Sequence, residues 1–448
     1  TADNFAQMFA SMDDAYMQGR AADVKDVSER VLDILCGVSN GTREMTEPCI
    51  VAADDLAPSE TVQLDKEKVL GFATMYGSSN SHTAILARTM NIPAVIGMGE
   101  ALNPKYDGEM AIIDGFTGTL YVDPDEETLA KMQEKRAKDL EQKELLNQLK
   151  GKENVTKSGQ KINVYANIGN VSDLGAVLKN DAGGVGLFRS EFLYLENSTY
   201  PTEEQQFQVY RLAAEAMGMK KVVIRTADLG GEKTAECLDL GEENNPEMGY
   251  RGIRVSLDKD EIFKTQLRAI LRASAYGKMS IMFPMVTDVK EVQQAKLLLE
   301  KIKKELKDEK IPFNEEIQIG VMIETPAAAI ISDQLAPMVD FFSVGTNDLT
   351  QYTLACDRQN PKVEQFCDTH HEAILRLIKL SADNAHQNNA WIGICGELAA
   401  DSNLTEAFIQ MGVDGLSVVP ACVLPVRKAI RSSYADEANR PEEAVKEK

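Results

Sequence analysis

Long apolar runs are missing from this 448-residue chain, and positive charge is in short supply. No stretch reaches the roughly twenty apolar residues that a membrane-spanning helix needs, and the opening TADNFAQMFASMDD does not resemble a signal peptide. Asp and Glu number 70 against 48 Lys and Arg, which gives a net charge of −22. Such a charge repels nucleic acids and anionic membranes. We therefore expect a cytoplasmic protein with no membrane and no nucleic-acid partner.

Cysteine is scarce and follows no metal-binding or disulfide spacing. None of the seven forms a CxxC pair, and their number is odd: Cys36, Cys49, Cys237, Cys356, Cys367, Cys395 and Cys422. A disulfide framework or a zinc site requires cysteines at characteristic spacings. The sequence therefore predicts reduced thiols, with neither a disulfide framework nor a zinc site.

Histidine is rarer still, with four residues, and one of them has an unusual setting. His82 ends the small polar run GSSNSH and is followed at once by TAILA, which has a helical apolar pattern. A helix start offers free backbone N–H groups and a favourable dipole to an anion, and histidine is a competent nucleophile at neutral pH. His82 is therefore a candidate phosphoryl acceptor, with a capping or packing role as the alternative.

The chain divides into four segments that differ in composition and in hydrophobic pattern. Residues 1–36 have helical apolar spacing, and residues 37–124 combine short strand-like runs with one helix, as in a small α/β domain. Residues 125–152 consist almost entirely of helix formers with mixed charge. They predict one long helix that either connects two domains or packs on one of them. Residues 153–448 form the largest segment.

The largest segment predicts a (β/α)₈ barrel. Short apolar runs recur in it, each followed by a loop and a helical stretch: KINVYANIG, GGVGLF, KVVIRTAD, SIMFPMV, IQIGVMIET, FFSVGTND, WIGICGE and LSVVP. Eight strands that alternate with helices are typical of a TIM barrel. The fold class is therefore α/β, and the functional residues of such a barrel lie at the carboxyl ends of its strands.

Unusual polar residues fall at those predicted strand ends: Asn167, Arg189, Arg225, Glu324, Asn347, Asp348 and Cys395. Arginine binds phosphate and carboxylate groups through paired hydrogen bonds. Arg251 and Arg358, in neighbouring loops, are further arginines that could bind such groups, whereas Arg254 is more typical of a surface residue. Glu324 and Asp348 offer the carboxylate oxygens that Mg²⁺ prefers. The pattern predicts a site for a small phosphorylated acid and a divalent metal ion.

Cys395 ends the seventh predicted strand, in GICGE. A thiol with the usual pKa of about 8.5 is mostly protonated at neutral pH, so it can donate a proton to a carbanion-like centre. A buried apolar thiol is the alternative interpretation. The position of Cys395 among charged strand ends favours the functional one.

Five long motifs run in fixed order along the chain: SHTAILARTMNIPAVIG, GGVGLFRSEFLYL, GVMIETPAAA, FFSVGTNDLTQYTLACDR and GICGELAAD. Together they strongly resemble enzyme I of the bacterial sugar phosphotransferase system, the phosphoenolpyruvate–protein phosphotransferase family. The resemblance implies that phosphoenolpyruvate binds in the barrel with Mg²⁺ and phosphorylates a histidine on a small swivelling domain. A helical linker would join the two domains, and the phosphohistidine would transfer its phosphoryl group to the carrier protein HPr. The barrel would form a homodimer.

The resemblance also implies a role for each matched residue. His82 is implied as the phosphoryl acceptor and Cys395 as the proton donor to the enolate carbon. Glu324 and Asp348 are implied as the metal ligands. The residues implied to bind the substrate are Arg189, Arg225, Arg251, Asn347 and Arg358.

Two features depart from the family pattern. Ser78 and Asn80 stand where the family usually has Gly and Thr, and residues 1–36 match only the end of the helical domain that binds HPr, so delivery to HPr is expected to be impaired. Two alternatives stay open. A pyruvate phosphate dikinase or phosphoenolpyruvate synthase shares the swivelling histidine and the barrel but uses ATP. A sensor would bind phosphoenolpyruvate without turning it over.

Overall fold

The computed structural model describes residues 47–54, 68–77 and 92–435 apart from gaps at 196–198, 232–236, 239, 242, 359 and 361, together with Ser28, Leu56, Leu64, Thr83, Ala84, Leu86 and Ala87. The chain divides into two compact units, residues 1–142 and residues 143–448. The helices predicted for residues 1–36 lie outside the described residues except at Ser28. Within the described part, no helix combines the length and apolar character needed to cross a membrane.

The first unit contains two small sheets. Its strands are β1 (Cys49–Ala53), β2 (Val69–Thr74), β3 (Ala94–Val95), β4 (Ala111–Asp114) and β5 (Thr119–Val122). β2 lies between β1 and β3 in a parallel sheet, with Phe72 fully buried, and β4 pairs with β5 in an antiparallel hairpin. Helix α1 (Glu126–Asn147) follows and buries none of its side chains, as its evenly charged sequence predicts.

The second unit is a closed barrel of eight parallel strands. They are β6 (Asn163–Ile168), β7 (Gly184–Arg189), β8 (Lys221–Arg225), β9 (Met279–Phe283), β10 (Gln318–Ile323), β11 (Phe341–Val344), β12 (Trp391–Ile394) and β13 (Gly415–Val418). Strands adjacent in sequence are adjacent in the barrel, and β13 pairs with β6 to close it. Each predicted apolar run overlaps one of these strands, so the predicted TIM barrel is confirmed.

Helices alternate with the strands and cover them. They are α2 (Leu174–Lys179), α3 (Phe192–Leu195), α4 (Glu203–Met217), α5 (Ile253–Asp258), α6 (Asp260–Ala273), α7 (Val289–Asp308), α8 (Pro326–Ile330), α9 (Ser332–Leu335), α10 (Thr346–Leu354), α11 (Glu372–Gln387), α12 (Thr405–Gln410) and α13 (Val423–Ser432). Thr202 and Asp288 form capping boxes that start α4 and α7. Because helices cover the outer face, the strands are buried on both sides and read as continuous apolar runs.

One prediction is wrong, namely that the thiols are all reduced. Cys356 and Cys367 form a disulfide bond, with their Cα atoms 5.8 Å apart. The two cysteines lie on the chain that follows α10 and folds back before α11. Spacing along the sequence does not reveal this approach, because it depends on the path of an irregular loop.

Candidate active site

The barrel brings most of the predicted site residues to one end. Those located at or directly after strand ends are Arg189 on β7, Arg225 on β8, Glu324 after β10, Asn347 and Asp348 after β11, and Cys395 after β12. Because all eight strands are parallel, their carboxyl ends share one mouth of the barrel. Arg189 is exposed there, while Arg225, Glu324 and Cys395 are buried.

Arg225 is held between two carboxylates, with 4% of its surface exposed. Its Nη2 lies 3.1 Å from Glu191 Oε1, and its Nη1 lies 3.3 Å from Asp228 Oδ2. Ser190 Oγ donates to the backbone oxygen of Arg225 at 2.7 Å. Among the described residues, the Nε of Arg225 has no hydrogen-bond partner. A buried guanidinium with an unused N–H can donate to an anion that enters the site.

Arg251 is almost completely buried and is engaged by carboxylates on every nitrogen. Its Nε lies 3.0 Å from Asp228 Oδ1, and Nη2 donates to Asp228 Oδ2 at 3.1 Å. Nη1 lies 2.5 Å from Glu247 Oε2, and Nη2 lies 3.3 Å from Asp348 Oδ1. Arg251 therefore holds the acidic side chains of the site in place. Direct contact between Arg251 and a substrate stays a prediction.

Sequence reasoning missed Glu191 and Asp228, which bind these arginines. Asp228 lies three residues after Arg225 at the end of KVVIRTAD, and Glu191 lies two residues after Arg189 in FRSE. Glu191 Oε1 also accepts from the backbone N–H of Asp228 at 2.9 Å. An acidic residue directly after a strand end, close in sequence to an arginine of the site, could have indicated this pairing, because a buried arginine requires an acidic partner.

The carboxylates of Glu324 and Asp348 fit a divalent cation. Glu324 Oε1 accepts from the backbone N–H of Met285 at 2.6 Å, and Glu324 Oε2 is buried with no hydrogen-bond partner in the described part of the chain. Asp348 Oδ1 is also buried, and its contact is the ion pair with Arg251 at 3.3 Å. Burial, together with the nearby charge of Asp348, raises the pKa of Glu324 to about 8. The described residues hold no cluster of three or more candidate ligand side chains. Mg²⁺ is compatible with this set, since it commonly takes one or two carboxylates and completes its shell with substrate and water.

Cys395 has the protonation state of a proton donor. Burial raises the pKa of its thiol to about 11, although a hydrogen bond with Ser343 acts in the opposite direction. Cys395 Sγ lies within hydrogen-bonding distance, 3.5 Å, of the backbone oxygen of Val344. The thiol therefore keeps its proton at neutral pH and can give it to a stronger base, such as a carbanion.

Asn167 fixes the backbone that carries Cys395. Its Nδ2 donates to the backbone oxygen of Cys395 at 2.7 Å and to that of Ser417 at 3.1 Å, and Ser417 Oγ donates to Asn167 Oδ1 at 2.6 Å. These bonds join the ends of β6, β12 and β13. Asn167 thus positions the thiol, a role that its place at a strand end did not specify.

The remaining predicted residues lie near the mouth or outside the described part. Asn347 Nδ2 donates to Glu397 Oε1, and Asn347 Oδ1 accepts from the backbone N–H of Glu397, both at 3.2 Å. Arg358 is exposed on the loop after α10, and its backbone N–H donates to Gln351 Oε1 at 3.1 Å. His82 lies outside the described residues, as do Ser78 and Asn80.

Comparisons with known proteins agree with this geometry. A family model described as the PEP-binding domain of PEP-utilising enzymes matches residues 143–435, and one described as their mobile domain matches residues 45–118. The phosphoenolpyruvate-protein phosphotransferase of Staphylococcus carnosus is 44% identical over 96% of this chain and 75% of its own. Those of Staphylococcus aureus and Bacillus subtilis are 43% identical over 97% and 100% of this chain and 76% and 78% of their own. The chain therefore belongs to the phosphoenolpyruvate-protein phosphotransferase family, as its motifs predict.

Proposed function

We propose that the protein transfers the phosphoryl group of phosphoenolpyruvate to His82 and then to the carrier protein HPr, with release of pyruvate. One observation carries this proposal. The mouth of the barrel combines a buried arginine with an unused N–H, two buried carboxylates of which Glu324 has an unused oxygen, and a protonated thiol. Such a set suits an anionic substrate that must be held, neutralised and finally protonated.

The arginines would bind the two anionic groups of phosphoenolpyruvate. Arg225 offers its Nε from a buried position, and Arg189 and Arg358, both exposed residues, would contribute their guanidinium groups. Asn347 would add an amide donor. Arg251 would act through Asp228 and Asp348, whose carboxylates it orients. A fork of N–H groups matches phosphate and carboxylate oxygens better than a point charge does.

Glu324 and Asp348 would hold Mg²⁺, which supplies positive charge to the substrate oxygens when bound. The buried oxygen Glu324 Oε2, which has no hydrogen-bond partner among the described residues, supports this assignment. A bound cation would also account for two carboxylates that lie close enough for Asp348 to raise the pKa of Glu324.

The chemical step forms one bond and breaks another. An imidazole nitrogen of His82 attacks the phosphorus, and the bond between phosphorus and the enol oxygen breaks. The methylene carbon of the resulting enolate takes a proton from Cys395 Sγ, which gives pyruvate, and solvent later restores the thiol proton. The phosphohistidine then passes its phosphoryl group to HPr.

The domain arrangement belongs to the same proposal. Residues 37–124 would carry His82 as a swivelling domain, residues 125–152 would link it to the barrel, and residues 1–36 would belong to the part that meets HPr. Helix α1, with no buried side chain, has the exposed character of a linker. The barrel, residues 153–448, would pair with a second copy, and the protein would work in the cytoplasm, where phosphoenolpyruvate is available.

Pyruvate release tests the proposal. The protein is mixed with phosphoenolpyruvate and Mg²⁺ in the absence of nucleotide, and pyruvate is measured over time. We expect a burst that is stoichiometric with the chain, followed by continuous formation once HPr is added. Turnover that requires AMP with pyrophosphate or phosphate instead of HPr would indicate the dikinase or synthase class. Binding of phosphoenolpyruvate without any pyruvate would indicate a sensor.

A further inference from the structure

The loop between α10 and α11 carries a disulfide and a candidate substrate residue together. Cys356 follows α10, and Cys367 comes 11 residues later, with the two Cα atoms 5.8 Å apart. Arg358 lies inside the segment that the disulfide closes. The bond therefore restricts the part of the chain that carries Arg358.

Gln351 anchors the beginning of this loop to the site. Its backbone oxygen accepts from the N–H of Cys356, and its Oε1 accepts from the N–H of Arg358, both at 3.1 Å. Its Nε2 donates to Glu247 Oε2 at 3.5 Å, and that same oxygen pairs with Arg251. The backbone of Arg358 is thus linked through two side chains to the buried ion pairs of the site.

The far side of the loop is held more loosely. After Cys367, His370 Nε2 lies 2.6 Å from Asp401 Oδ2, but the histidine side chain is half exposed. An exposed polar contact of this kind contributes little to holding a segment. Within the described part of this loop, the disulfide is the covalent link that brings the far side back to α10. When that link opens, the His370–Asp401 contact stays as a described tie between the far side of the loop and the barrel.

We propose that Cys356 and Cys367 form a redox-controlled clamp on Arg358, an inference that rests on the proposed role of Arg358 in binding phosphoenolpyruvate. Disulfides in reducing compartments are usually transient or redox-sensing, not structural. The clamp would be closed after oxidation by a low-molecular-weight disulfide and open under thiol reductants. Closure pre-organises the Arg358 loop for the anionic substrate.

The exchange proceeds in two balanced steps. Cys367 is partly exposed, whereas Cys356 has 3% of its surface exposed, so the small disulfide meets Cys367 first. The Cys367 thiolate attacks one sulfur of the small disulfide, which releases one small thiolate and leaves a mixed disulfide. The Cys356 thiolate then displaces the second small thiolate and forms the protein disulfide. Two electrons pass to the small molecule, and the two cysteine protons go to solvent or to the released thiolates.

Three readouts on the full chain test the clamp. Protein reduced with dithiothreitol, which is then removed, is compared with the same protein equilibrated with oxidised glutathione. Alkylation and peptide mass spectrometry report which thiols remain. The rate of trypsin cleavage after Arg358 and Lys362 reports the order of the loop. Calorimetry with phosphoenolpyruvate and Mg²⁺ reports the affinity of the barrel. Cys367→Ser removes the pair, and Cys422→Ser is the matched control, because Cys422 is a thiol outside this loop.

We expect oxidation to protect Cys356 and Cys367 from alkylation, to slow cleavage inside the loop, and to tighten phosphoenolpyruvate binding about three- to tenfold, the range expected from ordering one mobile side chain and its loop. Cys367→Ser should lose all three responses, and Cys422→Ser should keep them. Alkylation of both cysteines after oxidation, or unchanged cleavage and affinity, would overturn the clamp. Slower cleavage of the oxidised protein, with no phosphoenolpyruvate binding in either redox state, would confirm that the disulfide closes the loop. The same result would refute both the substrate role of Arg358 and the proposed function.

Discussion

Replacing Arg251 by methionine should destabilise the barrel far more than the same change at Arg254, three residues along the chain. Arg251 forms a bidentate pair with Asp228, whose side chain is fully buried, and also pairs with Glu247 and Asp348. Without Arg251, Asp228 loses this bidentate pair and retains the contact at 3.3 Å with Arg225. Arg254 is exposed and donates to the backbone oxygen of Gly249.

The size of the effect follows from burial. Removal of one partner from a buried ion pair costs about 3–5 kcal/mol, because an uncompensated charge stays in the interior. Methionine fills much of the same volume, so a cavity adds little. For a unit of this size we expect Tm to fall by about 5–8 °C. An exposed substitution usually changes stability by less than about 0.5 kcal/mol, so Arg254→Met should leave Tm almost unchanged.

Differential scanning calorimetry of the full chain at neutral pH measures both variants. A further variant, Arg251→Met with Asp228→Asn, separates the lost ion pair from general disruption. The amide removes the unpaired charge, so the double variant should recover part of the lost stability. Equal shifts for Arg251→Met and Arg254→Met, or no recovery in the double variant, would refute the view that Arg251 holds the acidic side chains in place.

Three further substitutions give separate tests. Cys395→Ser should retain phosphoenolpyruvate binding but slow pyruvate formation about a hundredfold or more, because a hydroxyl is a weaker acid than a thiol; unchanged pyruvate formation would exclude Cys395 as the proton donor. Lys221 Nζ lies 4.0 Å from the ring centroid of Trp391, the single tryptophan, and burial lowers its pKa from 10.5 to about 8. Fluorescence of Trp391 should therefore titrate near pH 8 and lose that step in Lys221→Met. In the unfolded chain, Lys221 keeps its proton up to its ordinary pKa of 10.5. The free energy of unfolding of the wild type, relative to that of Lys221→Met, should therefore rise between pH 8 and 10.5, as urea titrations would show. A Cβ at Gly396 would overlap Thr346 Oγ1, so Gly396→Ala should cost about 1–3 kcal/mol in urea unfolding, while a neutral result would mean that the turn has room.

The barrel could be predicted because its signal is local. Each strand from Asn163–Ile168 to Gly415–Val418 is a short apolar run, and parallel strands covered by helices on one side and filled on the other need no polar alternation. The positions of Arg225, Glu324 and Cys395 then follow from the rule that strands of such a barrel present their carboxyl ends to one mouth.

The pairing of side chains could not be predicted in the same way. Arg225 meets Glu191 from the preceding strand end, and Lys221 stacks over Trp391, which lies 170 residues away at the start of another strand. Closure of the barrel creates these contacts, and the spacing of the residues along the sequence does not predict them. The Cys356–Cys367 bond has the same origin, since an irregular loop brings the two thiols together.

The central claim is that phosphoenolpyruvate phosphorylates His82, and intact mass tests it most directly. The protein is incubated with phosphoenolpyruvate and Mg²⁺ without ATP, beside His82→Ala and, as a control, His386→Ala. We predict a single added phosphoryl group that is labile in acid, present in the wild type and in His386→Ala and absent from His82→Ala. Phosphorylation that survives in His82→Ala, or phosphoenolpyruvate binding with no added mass in the wild type, would contradict this account.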